Sequence, residues 1–71
     1  MERKLLRAYR GKRPQHEMGK KYGVTQQVWQ RWEAGKAKPG VVIMKRLEDD
    51  LGIPMEIIFA DVFDTSEAGT S

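Results

Sequence analysis

The 71-residue chain is 39% hydrophobic and 32% charged, has no cysteine and carries a formal charge of +3; this allows one domain with one modest core and excludes a disulfide framework or a thiolate zinc site. No apolar run approaches the roughly 20 residues that cross a bilayer, and Met1-Glu2-Arg3-Lys4 lacks the apolar stretch of a signal peptide, so a soluble, cytoplasmic chain is expected. Residues 1–38 hold 11 Lys or Arg against Glu2, Glu17 and Glu33, a balance of +8, while residues 39–71 hold Lys45 and Arg46 against 7 acids, a balance of −5.

Leu5, Leu6 and Tyr9 form one apolar stripe with Arg3, Lys4, Arg7 and Arg10 mostly outside it, which predicts a first helix over residues 2–10. Gly11 to Pro14 breaks it, because glycine ends helices and proline begins them. A second helix is expected from Gln15 to Tyr22, stopped by Gly23, and Thr25 is placed to cap a third that runs through Glu33. The seven residues from Ala34 to Gly40 contain two glycines and a proline and read as an ordered loop. Val41, Met44, Leu47 and Leu51, helped by Ile43, recur at three and four and predict a fourth helix ended by Gly52. Pro54 opens a short fifth helix through Phe59. The expectation is an all-α, five-helix domain over residues 1–60, followed by an acidic tail over residues 61–71 whose last residues are disordered. No sheet pattern and no internal repeat is present.

The second and third helices, joined by a turn of three or four residues, have the spacing of a helix-turn-helix. Gly19 faces the crossing, Gly23 makes the turn, Val24 plugs it, and Met18, Tyr22, Trp29 and Trp32 supply the shared core. Subtracting these buried positions leaves Gln26, Gln27, Gln30 and Arg31 pointing outward, with Val28 at the margin. Glutamine pairs bidentately with adenine and arginine with guanine, and valine touches a thymine methyl. Thr25 and Gln15 sit at helix starts, where phosphate oxygens are held, and Lys36 and Lys38 flank the surface. The basic N-terminal half would be drawn to a polyanion by long-range attraction, or would be a solvated basic surface with no partner.

On these residues the sequence resembles the lambda-repressor-like family of phage Cro and cI repressors, also called the XRE family, over residues 2–59. The family's run of Gln, small residue, Gly-Val-Ser/Thr and Trp-Glu-x-Gly-x-x-x-Pro is met by Gln15, Gly19, Gly23-Val24-Thr25 and Trp32 to Pro39. Leu51-Gly52-Ile53-Pro54 with Ile57-Ile58 is similar to its closing helices. The resemblance implies a lambda-repressor-like fold, with bases read by Gln26 and Gln27 and, one turn on, by Arg31. Thr25-Gln26-Gln27 is a triplet of lambdoid phage repressors. It also implies a buried ion pair between Glu33 and Arg10, or less readily Arg7. Gly19 stands where the family usually has alanine, a change expected to cost the helix about 0.5–1 kcal/mol.

Alternatives stand beside several of these assignments. Trp29 and Trp32, spaced by three in an amphipathic helix, are expected in the core and not stacked on bases. His16 has no second ligand near it and is expected at the surface; no metal site and no cofactor is expected. Lys20 and Lys21 read as a solvated face, with Lys20 or Arg13 able to reach the DNA backbone. Ile57, Ile58, Phe59, Val62 and Phe63 either complete the core or make a homodimer contact. The function expected is a sequence-specific transcriptional regulator of the phage or mobile-element repressor type, acting on double-stranded operator DNA. The other reading is a protein-interaction module such as an antitoxin or a regulator's partner, using the acidic C-terminal half. No nucleophile–base pair or phosphate-cradling glycine loop points to an enzyme.

Overall fold

The computed structural model describes residues 2–63, which are helical with no strand among the described residues. Helices α1 (Lys4–Arg10), α2 (Gln15–Lys21), α3 (Gln26–Ala34), α4 (Val41–Leu51) and α5 (Met55–Ile58) stand between the predicted glycine and proline breaks. A sixth, α6 (Ala60–Phe63), corrects the expectation of five. Phe59 is fully buried and Val62 packs against the same core, so the chain turns back on the domain beyond residue 60. Residues 61–63, expected in the tail, therefore belong with the domain. The rest of the tail lies outside the described residues. No described helix is long and apolar enough to cross a membrane.

The core is one cluster. Leu6 of α1, Met18 of α2 and Tyr22 just past it meet Trp29 and Trp32 of α3, Met44 and Leu47 of α4, and Ile58 and Phe59. Trp29 stacks on Tyr22 at 5.7 Å between centroids and meets Trp32 edge-on at 5.8 Å, arrangements that add about 0.5–1.5 kcal/mol beyond burial. The Tyr22 hydroxyl donates to Asp50 at 2.6 Å and shares a hydrogen bond with Tyr9 at 2.8 Å, tying α1, α2 and α4 together. Burial first, and then the bond to Asp50, push the Tyr22 phenol far above its ordinary range, so it stays a neutral donor. Of the apolar residues near the C-terminus, Ile58 and Phe59 enter the core, while Ile57 and Phe63 remain exposed.

The approach of α2 to the turn after it explains Gly19. A Cβ built there would lie 2.7 Å from Val24 O and 2.8 Å from Thr25 O, closer than real Cβ contacts. The residue is thus more than a helix-propensity loss: backbone occupies the space a side chain would need. Gly23 then turns the chain with φ of 75°, a conformation that side chains disfavour.

Helix α1 begins at Lys4, later than the start at residue 2 that was expected, because Arg3 is used otherwise. Its backbone N–H donates to Glu33 O at 2.6 Å, and its side chain is 3% exposed. Nη1 donates to the carbonyls of Trp32 and Ala37, both at 2.6 Å, while Nε and Nη2 donate to the two carboxylate oxygens of Asp61, both at 2.9 Å. The guanidinium also lies 5.0 Å from the centre of the Phe59 ring. One buried cation thereby joins the N-terminal segment, the end of α3, the following loop and α6.

Partial burial raises the Asp61 carboxyl, but hydrogen bonding to Arg3 and its charge together outweigh that and leave the group below its ordinary value. A carboxyl with a depressed folded value contributes stability above its unfolded value, near pH 3.9, and loses it as the pH falls through the folded one. Asp61→Asn is therefore expected to be less stable than the native chain at pH 7 and to lose less on acidification below about pH 4. Urea midpoints measured at pH 7 and pH 3 check this; parallel losses in the two proteins would refute it.

Candidate nucleic-acid interface

The outer face of α3 is held from beneath. Thr25 caps the helix, its Oγ1 accepting from Val28 N at 3.3 Å. Trp29, Trp32 and Glu33 turn inward and are buried. Glu33 accepts from Arg10 Nε at 2.7 Å and Nη2 at 3.3 Å, from the Trp29 indole N–H, and from Gln15 Nε2 at 3.4 Å. Arg10, not Arg7, is the partner of Glu33; Arg7 pairs with Glu2 at the surface. A buried acid with donors on α1, α2 and α3 fixes how the third helix is rotated about its axis, because turning it would strand a charge.

With that rotation fixed, Gln26, Gln27, Gln30 and Arg31 are exposed, and their side chains make no hydrogen bond or ion pair among the described residues. A shallow concavity of about 340 Å³ is lined by Gln27, Gln30, Arg31, Ala34 and Lys36. Gln26 lies to one side of it. Val28 does not line it either: it is half-buried against the core, so its methyls serve packing first. Ala34, not singled out from the sequence, also lines the concavity; it falls on the stripe of Gln27, Gln30 and Arg31 at helical spacing, which was the signal available.

The residues expected at phosphate divide. Thr25 is exposed at the start of α3, and Lys36 and Lys38 are exposed in the loop after it. Gln15 is half-buried at the start of α2 and gives one amide hydrogen to Glu33, which leaves its other hydrogen and its oxygen uncommitted among the described residues. Arg13 is exposed as well, and it also serves its own helix. Its guanidinium donates to the carbonyls of Tyr9 and, at 3.1 Å, Arg10, and lies 5.0 Å from the centre of the Tyr9 ring, so it caps the end of α1. His16 and Lys20 are exposed, and Lys21 lies over the Tyr9 ring at 5.8 Å. No group of three His, Cys, Asp or Glu able to hold a metal occurs among the described residues.

The helix thus presents amide and guanidinium tips beside a tight turn, and the family described as Helix-turn-helix matches residues 4–58. The chain belongs to the helix-turn-helix family. Its type is the XRE, lambda-repressor-like one. No curated protein and no solved structure gives a significant match. The family match spans α1 to α5 and ends at Ile58, so α6 and Asp61 lie beyond it. As a helix-turn-helix protein the chain is a DNA-binding regulator.

Proposed function

We propose that this helix-turn-helix protein is a sequence-specific repressor of the phage or mobile-element type that acts by occupying an operator, with α3 in the major groove. The observation that carries the reading is the set of side chains on α3, Gln26, Gln27, Gln30 and Arg31, which are exposed and have no partner among the described residues, above a buried tryptophan core. Amide and guanidinium groups match the edges of adenine and guanine. Gln15, Thr25, Lys36 and Lys38 contact phosphate and fix the register, without reading sequence. Two chains act together on paired half-sites about 34–36 Å apart; exposed Ile57 and Phe63 support pairing through the C-terminal end. A cytoplasmic location follows from this role.

Selection of bound duplexes from random DNA tests the reading. Gln27→Ala and Arg31→Ala are each expected to flatten the preference at one base pair, a discrimination of about 1–3 kcal/mol. Lys38→Ala is expected instead to weaken binding to every sequence alike and to lower the slope of log K against log salt by about one. Unchanged affinities for selected and random duplexes in all three variants would remove these residues from the interface.

A further inference from the structure

Lys36 and Lys38 stand on either side of Ala37, and the backbone of that loop is held from two directions. From the helix side, the carbonyl of Arg31 accepts from Lys36 N at 3.0 Å and Ala37 N at 3.3 Å. From behind, Arg3 Nη1 bonds the carbonyl of Trp32 in the last turn of α3 and that of Ala37 itself. What keeps the Arg3 fork aimed there is Asp61, whose two oxygens take Nε and Nη2 in a bidentate pair. Such a pair fixes the plane of a guanidinium as well as its position.

We propose that Arg3 is a positioning residue for the loop that offers Lys36 and Lys38 to phosphate, and that Asp61 of α6 sets it; the inference rests on the DNA-binding reading above. Without Asp61 the fork keeps only the attachments of one nitrogen, and Nε and Nη2 lose their acceptors. The loop then samples positions in which the two ammonium groups no longer fall on successive phosphates together. A segment beyond the family match thereby governs contacts made on the other side of Arg3, and displacement of α6 by any means weakens DNA binding.

Asp61→Asn distinguishes this from a charge effect by its sign. Removing an acid from a protein strengthens its binding to a polyanion if charge alone acts. Here the variant is expected to bind a duplex obtained by selection about five-fold or more weakly, the lower end of coupling between linked sites. Its salt slope is expected to fall by about one while its base preference is kept. Amide exchange at Lys36 and Ala37 in the free, full-length protein is expected to speed up more than at Trp29, and Asp61→Glu to recover part of each change. Equal or tighter binding by folded Asp61→Asn, or weaker binding with an unaltered salt slope and unaltered exchange at Lys36 and Ala37, would overturn the proposal. Should the native chain itself show no salt-dependent binding, the DNA reading fails along with it, whereas native binding with an indifferent Asp61→Asn refutes the positioning role alone.

Discussion

Arg3→Ala is expected to lower the stability of the domain by about 2–4 kcal/mol, because a hydrogen bond from a charged group contributes about 1.5–3 kcal/mol and Arg3 gives two to backbone carbonyls. The substitution strands the carbonyl of Ala37, leaves that of Trp32 with only the Gly35 N–H at 3.3 Å, and takes from Asp61 both of its charged hydrogen bonds. It also removes the cation over Phe59, a fully buried ring. Domains of this kind have about 5–15 kcal/mol in total, and a short chain sits toward the low end, so much of the folded population's margin goes. Each kcal/mol moves the melting temperature of a small domain by about 4–8 °C. Arg7→Ala is the matching control, because Arg7 and Glu2 form an exposed pair, with side chains 61% and 44% exposed, and such pairs contribute about 0–1 kcal/mol. Thermal unfolding followed by the fluorescence of Trp29 and Trp32 compares the two. Similar melting temperatures would mean that the Arg3 bonds exchange with water at no net cost.

Gly19→Ala is the second large effect, and two principles give it opposite signs. In an open helix alanine is favoured over glycine by about 0.5–1 kcal/mol. At this position the added carbon meets the carbonyl oxygens of Val24 and Thr25 at 2.7 and 2.8 Å, and backbone cannot swing aside as a side-chain tip does. Overpacking of that kind costs about 1–3 kcal/mol. The contact outweighs the propensity, so the net expectation is a loss of stability. Because relief requires α2 and the turn to separate, the variant is also expected to bind DNA less tightly than its melting temperature alone implies. A variant as stable as the native chain, or more so, would show that the turn yields easily.

Most of the helical layout was legible because local rules govern it. Leu5, Leu6 and Tyr9, or Val41, Met44 and Leu47, declare a buried face by spacing alone, and glycines with prolines mark the breaks. The outer face of α3 followed by subtraction, once Trp29 and Trp32 were placed inside. What escaped depends on distance along the chain or on shortness. Arg3 meets Trp32 and Asp61 from 29 and 58 positions away, and nothing in its neighbourhood separates it from Lys4 or Arg7. Helix α6 is four residues long, too short to display a period. Arg13 bonds carbonyls only three and four residues before it; a basic residue just past the end of α1 was a local signal for that cap. Val28 lies at the edge of the apolar sector, where packing and exposure compete and only the rotation of α3 decides.

That rotation is set by Glu33 and the donors around it, none of which is among the tips on the outer face. The bonds that hold the fold and the side chains offered outward on α3 therefore involve different atoms. Swapping the four outward side chains for others of similar helix preference leaves the scaffold's bonds intact, so a lineage of such proteins is free to change its target site by small edits at little thermodynamic cost. Alterations to the anchoring acid or its partners, in contrast, turn the whole outer face at once.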